Sequence, residues 1–171
     1  IGLTVKNENI RYGEDKEIKD ILLSVKTIAM VGASANPSRP SNFAMKYLIG
    51  RGYTVIPVNP GHSGKQIYNQ TTYSSIGQVP GPIDMIDIFR PSKDTIEIVK
   101  QALSFKKDKN ISVIWMQIGI CNNRAKTMAM SGGLRVIMNR CPKIEYARIF
   151  GELRWCGVNT GLISAKKGML T

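Results

Sequence analysis

The segment VGASANPSRPS, residues 31–41, carries the residue types that bind an anionic group. It follows an apolar run and leads into a helical pattern, which is the context in which a backbone loop holds phosphate. Gly32 permits a tight turn, and Pro40 suits the first position of a helix, whose N–H groups and dipole attract anions. Four side chains could add hydroxyl or guanidinium donors: Ser34, Ser38, Arg39 and Ser41. A serine- and proline-rich turn that merely joins a strand to a helix would have the same pattern.

The next apolar run, VIPVNP, ends without a carboxylate. Folds that bind NAD place Asp or Glu at this position, where it accepts hydrogen bonds from the ribose hydroxyls. Here Asn59 and Pro60 end the run, and the segment GHSGK follows with His62 and Lys65. Because a neutral or cationic end tolerates a phosphorylated ribose, the pattern favours NADP or coenzyme A over NAD. We interpret His62 as a loop residue and keep a catalytic role for it as the lesser alternative.

Three later apolar runs end in residues that could meet other parts of such a ligand. After the third run, Phe89 could flank an adenine or belong to the core, and Arg90 could reach a pyrophosphate. After the fourth run, Gln117 and Gly119 stand where a pantetheine arm would leave the nucleotide. After the fifth run, Cys141 has cations on either side that would favour its thiolate, although a buried, inert thiol is the simpler interpretation.

The elements that position these residues are short apolar runs alternating with helical patterns. Apolar residues at 18, 21, 22 and 25 predict a short helix before the first strand. The predicted strands are 27–31, 53–58, 83–89, 112–117 and 135–139, and the predicted helices are 41–49, 94–105 (with Ser92 as its N-cap) and 123–130. We therefore expect an α/β fold: a doubly wound, Rossmann-like, parallel five-stranded sheet with helices on both faces. Its ligand would bind at the carboxyl ends of the strands.

Length and composition predict one domain over residues 1–171, with a helical segment at 1–26 and an extension at 151–171. No apolar run approaches the ~20 residues that cross a bilayer, and the opening residues lack a signal-peptide core, so we expect a cytoplasmic protein away from membranes. The cysteines, Cys121, Cys141 and Cys156, form no disulfide framework and no metal-binding spacing.

The charge balance points to an anionic partner. Lysine and arginine total 24 against 12 carboxylates, which gives a net charge of +12. Such an excess favours nucleic acid or a phosphorylated small molecule, unless the charges are simply scattered over a solvated surface. The basic clusters are short, and we find no nucleic-acid-binding motif. Nucleic acid is therefore the less favoured partner.

Six blocks of the sequence resemble, in order, the signature segments of small standalone CoA-binding domain proteins. The blocks are VGASANPSRPS, VIPVNP, IDMIDIFRPS, WMQIGI, MNRCPKIEY and GELRWCGVNTGLIS. That family is related in fold to the CoA-binding domain of the succinyl-CoA synthetase alpha subunit, and the resemblance spans about residues 18–167. It implies a Rossmann-like domain that binds coenzyme A or an acyl-CoA across the ends of its strands.

The resemblance also implies roles for individual residues. The expected phosphate contacts are Gly32, Ala33, Ser34, Ser38, Arg39 and Ser41. The expected neighbours of the ribose, adenine and pyrophosphate are Asn59, Pro60, Phe89, Arg90 and Ser92. The family usually continues with a lysine after VNP, whereas this chain has Gly61 and His62, which shifts the expected ribose-phosphate contact to Lys65.

We find no catalytic constellation in the sequence. Asp84 and Asp87 are three residues apart in one predicted strand and so point to opposite faces, and we expect Asp87 to cap or pair structurally. Because a fold alone confers no activity, we expect ligand binding without autonomous catalysis. The alternatives are an NADP-binding oxidoreductase and a basic nucleic-acid-associated protein. A homodimer or another protein partner stays open.

Overall fold

A five-stranded parallel sheet is the centre of the computed structural model, which describes residues 2–151 and the side chains from residue 13 onward. The strands are β1 (Thr27–Val31), β2 (Thr54–Val58), β3 (Gln66–Ile67), β4 (Gln70–Thr71), β5 (Met85–Ile88), β6 (Val113–Met116) and β7 (Arg135–Ile137). The main sheet has the order β2-β1-β5-β6-β7, and β3 and β4 form a separate antiparallel hairpin. β1 pairs with β2 on one side and β5 on the other, so the strand order reverses between β1 and β5.

The helices cover both faces of this sheet. They are α1 (Gly2–Ser24), α2 (Pro40–Gly50), α3 (Thr95–Ser104), α4 (Lys106–Lys109), α5 (Asn123–Ser131) and α6 (Pro142–Tyr146), followed by a π-helical turn at Ala147–Gly151. Since parallel crossovers are right-handed, the two directions of strand order send their helices to opposite faces. α1 and α2 contact α6 on one face, and α3 contacts α5 on the other. The predicted doubly wound, Rossmann-like fold is confirmed.

Each face of the sheet has its own apolar layer. Alternate residues along each strand point to opposite faces, so β1 sends Ile28 and Met30 toward α2 and sends Ala29 toward α3. The predicted helix near the N-terminus adds Ile18 and Ile21 to the layer that contains Ile28 and Met30, and both residues are fully buried. All residues of β5 and β6 are buried, as expected for strands that are covered on both faces.

The boundaries of the predicted elements differ from the structure in few places. The first helix is longer than predicted, and the β3–β4 hairpin and α6 were not predicted. Ser92 does not cap α3, because a 3₁₀ turn at Ser92–Asp94 comes first and places Asp94 at the cap position. The predicted extension at 151–171 lies, beyond residue 151, outside the described residues, as does Cys156. None of the helices in the described range has the length and apolar character needed to cross a membrane.

Two arginines join α1 to the segment around α6. Arg140 Nε lies 2.8 Å from Glu14 Oε1, and Arg148 Nη2 lies 2.7 Å from Asp15 Oδ1. Both arginines also bind Glu145, whose side chain is only 7% exposed. A buried carboxylate needs such partners, because an unpaired charge in the interior is costly. Glu145 is therefore the acceptor shared by the two arginines that link α1 to the α6 segment.

Replacing this carboxylate should destabilise the fold. We expect Glu145→Gln to lower the free energy of unfolding by about 2 kcal/mol, because two arginines lose their shared acceptor. The matched control is Glu97→Gln, which removes an exposed ion pair with Lys100 and should cost less than about 0.5 kcal/mol. Urea unfolding curves measure both effects. Equal losses in the two variants would show that Glu145 contributes no more than a surface charge.

Candidate functional site

A cleft of about 610 Å³ opens at the carboxyl ends of β1, β2 and β5. It lies where the strand order reverses, which is where open α/β sheets bind their ligands. The buried members of its lining are apolar: Val31, Val58, Ile76 and Ile98. The exposed or half-buried members are Gly32, Asn59, Pro60, Gly61, Ser74, Ser75, Arg90, Lys93, Asp94, Glu97 and Gln101. The cleft thus combines an apolar interior with a polar and charged rim.

Gly32 is required at the end of β1 for two physical reasons. Its φ of +90° lies in the left-handed region that favours glycine. A Cβ atom there would also lie 3.2 Å from the backbone carbon of Phe89 and 3.2 Å from Arg90 Cδ. Its N–H group donates to the carbonyl of Val58 at 2.8 Å. The turn therefore depends on the close approach of two backbone segments at the edge of the cleft.

Side chains hold the loop after Gly32 in one shape. The N–H of Ser34 donates to Ser41 Oγ at 3.1 Å, and Asn42 Nδ2 donates to the carbonyl of Ser34 at 2.9 Å. Asn59 Nδ2 donates to the carbonyl of Ala33 at 2.8 Å, which ties the end of β2 to this loop. Ser41 is buried, so its hydroxyl supports the loop from within. The loop is thus preorganised before any ligand arrives.

The start of α2 has the predicted form. Pro40 occupies the first turn of the helix, no carboxylate stands in that turn, and Arg39 precedes it in an extended conformation. Ser38 and Arg39 are exposed. Asn36 Oδ1 accepts from the N–H of Ser38 at 2.9 Å, which fixes the approach to the helix. A positive dipole end and a guanidinium therefore stand together beside the loop.

The β3–β4 hairpin reaches this loop through Tyr68. Tyr68 and Asn69 form the turn with φ values of 48° and 64°, and the Tyr68 hydroxyl donates to Asn42 Oδ1. Asn42 in turn holds the carbonyl of Ser34. Sequence reasoning missed this contact. The one available signal was Asn69, a residue type that tolerates the left-handed conformation.

The predicted site residues divide between the cleft and its surroundings. Those that line the cleft are Gly32, Asn59, Pro60 and Arg90. Those of the loop and the start of α2, next to it in the chain, are Ala33, Ser34, Ser38, Arg39 and Ser41. Those that are not part of the cleft lining are Lys65, Phe89, Ser92, Gln117 and Gly119. The cleft residues that sequence reasoning missed come mainly from α3 and from the segment before β5.

The residues outside the cleft have other contacts. Phe89 packs against the core on the α2 side of the sheet, and Ser92 Oγ accepts from the N–H of Cys121 at 3.0 Å. Lys65 is exposed at the base of the hairpin, where its carbonyl accepts from the N–H of Thr72 at 2.8 Å. The interpretation of Phe89 as a core residue is therefore the one that its packing supports.

Comparison with known proteins identifies the family. The sequence model of the CoA binding domain matches residues 26–147. The chain belongs to this CoA-binding domain family. The family predicted from the sequence blocks is therefore confirmed over residues 26–147, while the sixth block, residues 151–164, lies outside the match.

Relatives of this CoA-binding domain agree with the fold. The uncharacterized protein YneT of Bacillus subtilis is 35% identical over 131 residues, which cover 77% of this chain and 93% of YneT. A hypothetical protein from Pyrococcus horikoshii is 38% identical with a TM-score of 0.73, covering 79% of this chain and 91% of that one. A protein from Thermus thermophilus is 31% identical with a TM-score of 0.74, covering 80% and 98%.

A buried acid lies beneath the strand ends of this CoA-binding domain. Asp87 is 0% exposed, and Gln117 Nε2 lies 3.2 Å from its Oδ1 and 3.4 Å from its Oδ2. Burial raises the pKa of Asp87 to about 8, and the Gln117 hydrogen bond opposes that rise only in part. Asp87 is therefore mostly protonated at neutral pH. The partner of the Asp87 carboxyl group is the neutral side-chain amide of Gln117, so Gln117 is placed as a hydrogen-bond donor to this buried acid.

Cys141 is a protonated thiol beside this pair. Burial raises its pKa, and the nearby Asp87 adds to the rise. The expectation that neighbouring cations favour a thiolate is wrong, because Arg140 is bound by Glu14 and Glu145. Lys143 instead lies over the rings of Phe43 and Tyr47. The interpretation of an inert thiol is the one that the structure supports.

Crowding at Gly32 should be separable from backbone strain. We expect Gly32→Ala to lower the free energy of unfolding by about 2–4 kcal/mol, since its Cβ is both strained and crowded. The control is Gly64→Ala, whose φ is +84° but whose Cβ would meet nothing within 4 Å, so strain alone should cost about 1–2 kcal/mol. Urea unfolding measures both. Equal losses would mean that the approach to Phe89 contributes nothing.

Asp87 should make stability fall as pH rises. The group titrates near 3.8 when exposed and near 8 in the folded protein, so between these values only the folded state keeps the proton. The free energy of unfolding then decreases by about 1.4 kcal/mol per pH unit from this group. Asp87→Asn has no proton to lose, so its advantage over the unsubstituted protein should grow from pH 4 to pH 8. Parallel stability curves from urea unfolding across that range would contradict the assignment.

Proposed function

We propose that this protein binds coenzyme A or an acyl-CoA at the carboxyl ends of β1, β2 and β5 and catalyses no reaction of its own. The observation that carries the proposal is the cleft at the reversal of strand order, with Gly32 at its edge and the start of α2 beside it. Such a glycine turn before a helix N-terminus lets a pyrophosphate approach backbone N–H groups closely. Membership of the CoA-binding domain family supports the choice of nucleotide.

The cleft interior suits an adenine ring. Its volume of about 610 Å³ falls within the range of small-molecule sites, which are mostly apolar with a few polar groups. Val31 and Val58 end the two strands that form its base, and Ile98 of α3 is buried beside them. An adenine would exchange water for these apolar groups. The ribose and phosphates would then lie at the rim, beside Asn59 and Pro60.

The pyrophosphate would lie above Gly32 and the following loop. Arg39 is exposed at the start of α2 and is free to turn toward it. Arg90 stands at the rim, half-exposed, with its Nη2 atom 2.9 Å from Asp94 Oδ2. Because this ion pair is partly solvated, Arg90 can share its charge with an incoming phosphate. Ser34 and Ser38 would add hydroxyl contacts along the loop.

The pantetheine arm would run across the ends of β5 and β6. From β1 to β7 there are three strand spacings, or about 14 Å. The arm has about thirteen bonds, the backbone length of some four residues, so it extends roughly 15 Å. Its thiol or acyl end would therefore reach the region of Gln117, Gly119 and Cys141. The proposal that no reaction is catalysed is supported by the state of the acid and the thiol there: Asp87 is buried and mostly protonated, and partial burial raises the pKa of the Cys141 thiol.

Calorimetry on a charge-reversed variant tests this function. Coenzyme A should bind the protein more tightly than NADP or NAD, and Arg39→Glu should weaken that binding at least tenfold, because it reverses a charge beside the phosphates. Lys107→Glu is the matched control: it changes the net charge equally but lies on α4, exposed, before β6 begins. Its affinity should stay within twofold of the unsubstituted protein.

Two results would contradict the proposal. Binding of NADP without binding of coenzyme A would favour the oxidoreductase alternative. Equal loss of affinity in the Arg39 and Lys107 variants would mean that only the overall charge attracts the ligand. Native mass spectrometry of the purified protein adds an independent readout, since a retained CoA species would reveal both the nucleotide and any acyl group.

A further inference from the structure

The charged residues that line the cleft have no excess of positive charge, in contrast to the chain as a whole. The whole chain has 24 lysines and arginines against 12 carboxylates. The charged groups that line the cleft are instead balanced: Arg90 and Lys93 against Asp94 and Glu97. Coenzyme A brings two separate anionic groups, a pyrophosphate and a ribose 3′-phosphate. The positive charge on the cleft lining is therefore much smaller than the negative charge on the whole ligand.

The available positive charge lies where the pyrophosphate would lie. The start of α2 and Arg39 stand beside the Gly32 turn, and Arg90 follows β5 on the other side of that turn, where its Cδ atom is 3.2 Å from the position of a Cβ on Gly32. Part of the Arg90 charge is already offset by Asp94. These groups match one pyrophosphate, and among the described residues that line the cleft only Lys93 is left as a cation for a second anion.

The ribose end of the cleft is neutral. It is formed by Asn59, Pro60 and Gly61. The amide of Asn59 is already used on both sides, since its Nδ2 donates to the carbonyl of Ala33 and its Oδ1 accepts from the N–H of Gly61 at 3.0 Å. Lys65, which the sequence pointed to for the ribose phosphate, is exposed and not part of the cleft lining.

The remaining cation of the rim, Lys93, has a carboxylate close by in the same part of the cleft. Glu97 follows four residues later, and both side chains line the cleft. A phosphate that approached Lys93 would also approach Glu97, whose charge is shared with the exposed Lys100 at 2.9 Å. A phosphate monoester carries between one and two negative charges near neutral pH. Attraction by Lys93 and repulsion by Glu97 would therefore largely cancel.

We infer that the site recognises the adenosine pyrophosphate of its ligand and gains no affinity from the ribose 3′-phosphate. Dephospho-CoA should therefore bind as tightly as coenzyme A. This inference rests on the proposed function and narrows it. The recognised class is a coenzyme with an ADP group and a pantetheine arm, with or without the third phosphate. A phosphate at the ribose would extend from the rim into solvent.

Calorimetric titration with coenzyme A and dephospho-CoA at one ionic strength tests the inference. We expect the two dissociation constants to agree within threefold, and added salt to weaken both ligands to a similar extent. A preference for coenzyme A of tenfold or more would overturn the inference while leaving the proposed function intact. If neither ligand binds, the proposed function fails, and the inference fails with it.

Substitutions at the rim of the cleft test which residue, if any, binds the ribose 3′-phosphate. Lys65→Ala should leave the ratio of the two dissociation constants unchanged. Lys93→Ala should favour dephospho-CoA over coenzyme A by no more than about twofold to threefold, because it leaves the repulsion from Glu97 unopposed. Glu97→Gln should favour coenzyme A over dephospho-CoA by about twofold to threefold, because it removes the repelling carboxylate. Asp108→Asn, an exposed change on α4, is the matched control and should leave the ratio unchanged.

Two outcomes among the variants would overturn the inference. A tenfold loss of coenzyme A affinity in Lys93→Ala, with dephospho-CoA unaffected, would make Lys93 the ligand of the 3′-phosphate. The same result in Lys65→Ala would assign that role to the residue that the sequence favours. Thermal unfolding of each variant shows that the change in ratio is not a loss of folded protein, and the ratio itself is insensitive to the fraction of active sites.

Discussion

The contact between the end of β1 and the chain after β5 is the constraint on which the rest of the site depends. At Gly32 the two backbones approach so closely that a methyl group would meet the backbone of Phe89. The cleft lies beside this contact, on the α3 side of the sheet, and the following loop leads to α2. Asn59 then fixes the loop from the end of β2. One small residue thus borders both the cleft and the loop that leads to α2.

The parts of this arrangement that the sequence predicts are those encoded locally. Buried parallel strands are continuous apolar runs. Gly32 and Asn59 directly follow β1 and β2, and Pro40 begins α2, so their positions follow from chain order. The contribution of α3 could not be predicted. Glu97 of α3, and Lys93 in the 3₁₀ turn before it, line the cleft because of how this segment lies across the sheet. The β3–β4 hairpin was missed because two-residue strands have no hydrophobic period to detect.

Asp87 shows a different limit of sequence reasoning. A carboxylate inside an apolar strand suggests a salt bridge, because a buried charge needs a cation. The structure uses the other solution, in which the acid remains protonated and accepts from the amide of Gln117. Which solution a protein adopts depends on what faces the strand from a distant part of the chain. The same holds for Cys141, whose adjacent arginine turns away to Glu14 and Glu145.

The arginine contacts between α1 and the α6 region also bear on the order in which the chain folds. They join residues 126 and 133 positions apart, so the loop that they close contains nearly the whole sheet. The entropy lost on closing a loop grows with its length, and contacts between distant residues form slowly. The strand pairs need far shorter loops. We therefore expect these arginine contacts to form after the strand pairs, whereas α1 also has a contact at shorter separation, since the Tyr53 hydroxyl donates to the carbonyl of Leu22.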